Sequence, residues 1–281
     1  MSNCRSDDQF WTHYKFLIAE NFRVTKPGRL VSVHCMNLPT SKMRDGFIGL
    51  RDFRGEIIRL HQEAGFYFHS EVVIRKDPVS AMQRTKAIGL LHKQICKDSS
   101  LSRMAVPDYI VTFRKPGENA DPIAGRFESY YGDEAGHDGP LRQEMYADGG
   151  RVVRMLRPHD DWFSVAVWQR YAEPVWMDIA QGDVLSRRDA RDEADEAHIA
   201  PLQLTPIRRC IDLWTNPGDV VFSPFAGIGS ELYVALQMGR RAVGVELKPS
   251  YYMQAVKNCR EAKRDNADLF SRSEEQDVAT A

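Results

Sequence analysis

"VVFSPFAGIGSELYVALQMGRRAVGVELKPSYY", residues 220–252, decides the fold. Val220 to Phe222 reads as a short buried strand, and Ser223 to Gly229 forms a turn bearing two glycines. A helical pattern follows from Ser230 to Met238, and a second strand, Ala242 to Val245, ends in Glu246. Strand, glycine turn, helix and strand in this order make a βαβ unit of a doubly wound sheet. Gly227 and Gly229 carry no Cβ, so backbone N–H groups and a ligand can come close together at the helix N-terminus. An acid about 20 residues beyond such a turn can accept two hydrogen bonds from ribose hydroxyls. The stretch therefore suits an adenosine-containing ligand.

Two residues separate a dinucleotide from S-adenosylmethionine. A pyrophosphate fingerprint needs a third glycine for close helix packing, and here Gly227-Ile228-Gly229-Ser230-Glu231 runs on into Leu232. Phe225, just before the glycines, also crowds a pyrophosphate. A methyl donor without phosphate tolerates both features, so S-adenosylmethionine is the expected cofactor. A turn with only a structural role is the alternative that these residues leave open.

Working outward, the N-terminal third repeats the alternation of helix and strand. Phe10, Tyr14, Leu17 and Ile18 fall at helical spacing, a Lys26-Pro27-Gly28 breaker follows, and Leu30 to Val33 reads as a strand. "DFRGEIIRLHQEAGF", residues 52–66, is an amphipathic helix stopped by Gly65, and "YFHSEVVIRK" and "PDYIVTFRKPG" are further strands. This alternation predicts a parallel, doubly wound sheet.

Between Val72 and Arg103 the charge changes. Arg75, Lys76, Arg84, Lys86, Lys93, Lys97 and Arg103 stand against Asp77 and Asp98 alone, in a chain whose net charge is -1. Such a run is either a solvated face or a surface for nucleic-acid phosphates. From about Glu118 the regular pattern fades into a Gly- and Tyr-rich stretch. The segment that follows holds Trp162, Trp168 and Trp176, which either pack that module or stack on bases.

The composition, 43% hydrophobic and 27% charged, excludes disordered and fibrous classes. Cys4, Cys35, Cys96, Cys210 and Cys259 show no metal-ligand spacing, so no metal is expected, and reduced thiols suit a cytoplasmic setting. No apolar run approaches the ~18 residues of a membrane span, and "MSNCRSDDQF" lacks the apolar core of a signal peptide.

"HIAPLQLTPIRRCIDLWTNPGDVVFSPFAGIGS", followed by "YVALQMGRRAVGVELKPSYY", resembles the C-terminal half of the β-group amino-directed DNA methyltransferases, which methylate exocyclic nitrogens of adenine or cytosine. "FLIAENFRVTKPGRLVSVHC", "GFYFHSEVVIRKDP" and "PDYIVTFRKPG" resemble the elements that precede that group's target-recognition region, in the same permuted order. The resemblance implies that His198, Pro201 and Leu202 close over the methionine end of S-adenosylmethionine. It also implies that Ser223, Pro224, Phe225, Gly227, Gly229 and Ser230 form the cofactor turn and that Glu246 holds the ribose.

Two departures stand out. Ser223 replaces the family's aspartate, keeping a hydrogen-bonding group and losing its charge. The chain also contains no Pro-Pro pair, so the family's catalytic loop, which draws the lone pair of the target amino group out of the ring and stacks on the flipped base, is missing. No catalytic residue is assigned. Asn37 to Thr40, "NLPT", reads as a turn rather than a substitute, and His34 and Cys35 as packing residues.

The expected architecture is thus an α/β, doubly wound, permuted methyltransferase fold with an irregular target-recognition insert and one central strand missing. Residues 1–117 form its target-base side, 118–182 the insert, 183–264 the cofactor part and 265–281 a disordered tail. The expected function is methyl transfer from S-adenosylmethionine to an amino nitrogen in double-stranded DNA, with the basic run on phosphates and the insert reading bases. The alternative is a catalytically inactive cofactor- or DNA-binding remnant or regulatory subunit. A shortened N-terminus, a complementing polypeptide and a homodimer are the associated expectations.

Overall fold

The computed structural model describes residues 4, 6–85, 88–123, 126–147, 150–186 and 202–279. It divides into two compact units, Met1–Pro122 with Ala172–Met177, and Ile123–Tyr171 with Asp178–Ala281.

In the first unit the elements are α1 (Asp7–Val24), β1 (Leu30–Met36), β2 (Leu38–Pro39), α2 (Lys42–Asp45), β3 (Leu50–Arg51), α3 (Phe53–Glu63), β4 (Tyr67–Ile74), α4 (Pro78–Thr85), α5 (His92–Lys97) and β5 (Asp108–Arg114). Helix α1 starts where the Ser6 hydroxyl accepts from the Gln9 amide at 3.2 Å, with Asp7 and Asp8 in its first turn, and stops before the Pro27-Gly28 turn. Helix α3 starts on the Asp52 carboxylate, which accepts from the Gly55 amide at 2.9 Å. Strands pair in the order β1-β5-β4-β8, where β8 is the short Val175–Trp176 segment.

Strand β5 is antiparallel to both β1 and β4, and β8 is parallel to β4, so the sheet is mixed rather than all parallel. The reason lies in the connection. Two short helices and two 3₁₀ turns between Pro78 and Leu101 bring the chain back to the end of the sheet where β4 stopped, and β5 must then run the other way. One face of this sheet packs Cys35, Val111 and Phe113 against Tyr14 and Ile18 of α1 and Ile57 and Leu60 of α3.

His61 is fully buried in that core, its ring stacked on Phe113 with centroids 4.0 Å apart. Its Nδ1 lies 2.8 Å from the Ile57 carbonyl, to which it donates, while Nε2 has no partner. Protonation would add a buried N–H with no acceptor, and burial holds the His61 pKa down at about 4.

The second unit holds β6 (Arg142–Ala147), β7 (Gly150–Met155), α6 (Phe163–Ala172), α7 (Leu204–Trp214), β9 (Val220–Ser223), α8 (Ser230–Gln237), β10 (Arg241–Gly244) and α9 (Pro249–Ala279). Residues 118–182, expected to be irregular, contain an antiparallel hairpin, β6–β7, and the regular helix α6. Phe163, Val167 and Tyr171 recur at helical spacing along α6 and bury against Leu141, which supplies the apolar stripe a helix needs. The stretch 265–279, read as a disordered tail, continues α9 as backbone helix, since no Gly or Pro after Pro249 interrupts it. The compact units also group the insert with the cofactor part, apart from Ala172–Met177.

A buried ion pair organises this unit. Arg209 of α7 and Asp178 have no exposed side-chain surface and meet at 2.6 Å. Arg209 Nε donates to the Tyr131 carbonyl at 2.7 Å, its guanidinium lies 4.9 Å from the Tyr171 ring centroid, and the Tyr130 hydroxyl donates to Asp178.

Strands β9 and β10 pair in parallel, and helices α7 and α8 pack Leu204, Ile207, Ile211, Val234 and Ala235 together with Val221 and Ala242. Among the described residues β9 has no strand partner beyond β10, and β1 has none beyond β5.

Two outcomes follow from these buried groups. Because the folded pKa of His61 lies below the ordinary value of 6.5, its contribution is complete above pH 6.5 and is lost as pH falls toward 4, by about 3 kcal/mol. His61→Phe should flatten that part of a urea-midpoint profile; an unchanged acid slope would place the sensitivity elsewhere. Arg209→Met should lower stability by about 3–5 kcal/mol by stranding a buried carboxylate, and adding Asp178→Leu should recover most of that loss.

Candidate cofactor-binding site

The site is the turn between β9 and α8 together with the end of β10. Ser223 is buried at the end of β9, where its carbonyl accepts from the Val245 amide at 3.0 Å. The Ala226 amide returns a bond to the Val245 carbonyl at 2.9 Å, so both shoulders of the turn are tied to the same strand end. Ser230 is buried in the first turn of α8, and Pro224 is half-buried. Phe225 is 54% exposed, so its ring is no part of the core.

The two glycines have different jobs. Gly229, at φ +88°, caps α8, and a Cβ placed there would lie 3.0 Å from Ala255 Cβ of α9. It is needed for backbone shape and for close helix packing. Gly227, at φ +53°, has no atom within 4 Å of the position its Cβ would take, so its open side faces space that a ligand can use.

Glu246 closes the arrangement. Its Oε2 accepts from the Gly227 amide at 2.9 Å and its Oε1 from the Lys248 amide at 2.8 Å. Both bonds hold the carboxylate against the turn, where its remaining lone pairs can accept further hydrogen bonds. Beside it lies a cavity of about 210 Å³ lined by Ala226, Leu232, Gly244, Glu246, Tyr252 and Ala255, among others. A half-enclosed, mostly apolar slot with a single carboxylate at its edge fits a flat ring joined to a diol.

Leu202 packs on the α7–α8 core, and Gln203 is buried at the start of α7. His198 and Pro201, expected over the methionine end, lie outside the described residues.

The basic residues of the first unit divide by environment. Arg75, Lys93 and Lys97 are exposed, the last two one turn apart on α5, and Arg103 is half-buried beside a backbone bond to the Gly89 carbonyl at 3.0 Å. Lys76 is committed differently, with its Nζ 2.5 Å from Asp108, a carboxylate that also lies 3.0 Å from His34 Nε2. Burial alone would raise the Asp108 pKa, but the hydrogen bonds and charges of His34 and Lys76 prevail and hold it low. Lys86 and the Arg84 side chain lie outside the described residues.

Among residues weighed as alternatives, Cys35 is buried and its thiol is pushed up to about 12, as packing predicts. His34 is a partner of Asp108 rather than a purely apolar packing residue. Asn37 Oδ1 accepts from the Arg54 amide at 3.0 Å, a turn-fixing role, while Leu38 and Pro39 pair with β3. Trp176 is buried in β8, whereas Trp162 and Trp168 are each more than half exposed.

Sequence reading missed two features of the second unit. The β6–β7 hairpin was signalled by Asp148-Gly149 between two six-residue runs, the commonest hairpin dipeptide type. Nothing in the sequence marked Arg209 as buried, because an arginine in an amphipathic helix ordinarily faces water.

The family model described as DNA methylase matches residues 2–257. YubD of Escherichia coli (strain K12) is 34% identical over 79 residues, which are 26% of this chain and 35% of that protein. The type II methyltransferase M.Cfr9I of Citrobacter freundii is 45% identical over 60 residues, 21% of this chain and 20% of that one. The matched segments thus span at most about a third of these relatives' own length. Among solved structures, the putative DNA modification methylase TTHA0409 of Thermus thermophilus, complexed with S-adenosyl-L-methionine, superposes with a TM-score of 0.58 at 22% identity, over 91% of this chain and 79% of that one. The cytosine-N4-specific PvuII DNA methyltransferase gives 0.52 at 15% identity, over 89% and 69%. These likenesses show the fold, and the family match extends over nearly the whole sequence: the chain belongs to the DNA methylase family.

Proposed function

We propose that this chain binds S-adenosylmethionine at the β9–α8 turn and serves methyl transfer to an exocyclic amino nitrogen of adenine or cytosine in double-stranded DNA. The observation that carries the cofactor assignment is the pairing of Glu246 with an open Gly227. The carboxylate is fixed at 2.9 Å from the Gly227 amide, beside space where a Cβ would meet nothing. Glu246 would hold the ribose hydroxyls, with Ala226, Leu232 and Tyr252 around the adenine and Leu202, His198 and Pro201 toward the methionine end. When bound, S-adenosylmethionine supplies an electrophilic sulfonium methyl. Ser223 contributes a neutral hydroxyl at the turn, which leaves Glu246 as the carboxylate of a cavity that Arg260 and Lys263 also line.

Arg75, Lys76, Arg84, Lys86, Lys93, Lys97 and Arg103 would form the phosphate-contacting surface. Within that surface Lys76 is held by Asp108 and leaves the direct contacts to the others, among which Lys93 and Lys97 are exposed one turn apart on α5. Free cysteines and a DNA substrate suit a cytoplasmic setting and a place beside a restriction system.

A second reading is favoured by the two open strand edges and by the absence of a Pro-Pro pair from these 281 residues. In that reading the chain binds cofactor and DNA but gains the strand and the amino-activating loop from another polypeptide or a second copy, or acts as an inactive regulatory subunit. Labelled-methyl transfer to DNA by the isolated 281-residue chain would remove this second reading.

Calorimetric titration with S-adenosylmethionine tests the cofactor site. Glu246→Ala should weaken binding by roughly a hundredfold or more, the loss expected for two hydrogen bonds to a charged group at about 1.5–3 kcal/mol each. Equal affinity in variant and parent would remove the site. Duplex binding should weaken steeply with salt, and Lys93→Ala and Lys97→Ala should each reduce the log–log slope by about 1. A flat salt response would dissociate the basic run from phosphate.

A further inference from the structure

We infer that the β6–β7 hairpin is a two-stranded ribbon that reads base edges in the major groove of duplex DNA through one of its faces. This rests on the DNA methylase reading and adds to it the element and the residues that would carry sequence discrimination.

The hairpin is unusual in what it leaves uncovered. Every residue of β7 from Gly150 to Met155 is exposed, and on β6 Arg142, Glu144, Met145 and Tyr146 are exposed too. A two-stranded hairpin alone is marginal in water, so one bare on both faces calls for something that covers it or a firm root. The root is present: Leu141 is 4% exposed in the cluster of Phe163, Val167 and Tyr171, and the Leu156 amide extends the ladder to the Leu141 carbonyl at 3.0 Å. Asp160 braces the base by accepting from the Arg157 amide at 2.7 Å and by pairing with Arg154.

Cross-strand register assigns the faces. Arg142 lies opposite Met155, Glu144 opposite Val153 and Tyr146 opposite Arg151, so these six share one face. That face contains what base-edge reading requires: guanidinium donors for guanine O6 and N7, a carboxylate acceptor for the cytosine amino group, and apolar groups for the thymine methyl. Tyr146 is 86% exposed, which presents an aromatic side chain near the end of β6. The Arg151–Glu144 pair is itself exposed, so exchanging it for contacts with a base edge costs little. Six residues per strand give a length of about 20 Å, and a two-stranded ribbon fits a groove about 12 Å wide.

The occupant is committed by charge and by shape. On the face itself Arg142 and Arg151 share the single carboxylate of Glu144, while Arg154 is taken up by Asp160 at the base, so the face keeps an excess of cations that suits a polyanion.

The test uses the full 281-residue chain and a library of randomised duplexes, from which bound molecules are recovered and sequenced. The parent should enrich a short motif. The double variant Tyr146→Ala with Arg151→Ala should lose discrimination at one or two adjacent positions, by roughly 10- to 100-fold. It should keep its thermal midpoint, its S-adenosylmethionine affinity and its salt slope to within about one unit. The milder Arg151→Lys should relax the same position, which keeps the test sound if the double variant folds poorly. Replacing guanine by 7-deazaguanine in the enriched motif should weaken the parent and leave the Arg151→Ala variant indifferent, since only a major-groove contact uses N7. An unchanged motif in these variants, or relaxation caused instead by Gln143→Ala on the opposite face, overturns the inference. Salt-dependent duplex binding by the parent without any enriched motif also overturns it and leaves the DNA-binding reading standing. A parent that binds no duplex at all removes both.

Discussion

A guanidinium with no exposed surface, Arg209 of α7, is held between the carbonyl of Tyr131 at 2.7 Å and the carboxylate of Asp178 at 2.6 Å. Helix α7 packs on α8, while Tyr131 and Asp178 belong to the segments that bracket the β6–β7 hairpin and α6. One ion pair therefore joins the part that would hold cofactor to the part that carries the hairpin. Burying two charges is expensive, and the arrangement offsets it with hydrogen bonds and with the Tyr130 and Tyr171 rings stacked beside the guanidinium. Such a joint is directional: an apolar contact could slide, whereas a guanidinium with assigned acceptors fixes the register of the helix against the module.

The cofactor turn depends on a smaller constraint of the same kind. Glu246 accepts two backbone amides, from Gly227 and Lys248, and so ties the first turn of the βαβ unit to the end of its second strand. This holds the carboxylate in place without occupying all its lone pairs, so a bound diol, as proposed, would require little rearrangement. Among the described residues β9 and β1, each in its own unit, are edge strands whose outer backbone donors and acceptors have no strand partner. Val220, Phe222 and Val243 are exposed on one face of the β9–β10 pair and give it an apolar surface.

Most of the candidate cofactor turn was legible because it is local. The glycines, the helix start and the terminal acid sit within about 20 residues, and each answers to a short-range rule on turns, caps or strand ends. The resemblance carried over the remaining elements in order, and the DNA methylase family match agrees with it. What escaped was non-local or two-valued. The direction of β5 depends on where the α4–α5 segment returns the chain, which no pattern within β5 encodes. The hairpin was overlooked because its residues alternate between charged and apolar on both faces, so neither face reads as core. Lys76 counted as one more cation in a run, and only the approach of Asp108 and His34 sets it apart.

The sequence alone therefore determined the βαβ unit, the family and the absence of a Pro-Pro pair, because those are matters of residue type at fixed short spacing. The tertiary structure decided which charges are spent inside the protein and which are offered outward. Arg209, Lys76 and Arg54 are bound to Asp178, Asp108 and Glu71, while Lys93, Lys97 and Arg151 stand at the surface. The physical reason is that burial and pairing are properties of distance in space, and a cation has the same sequence symbol whether a carboxylate or water is its nearest neighbour.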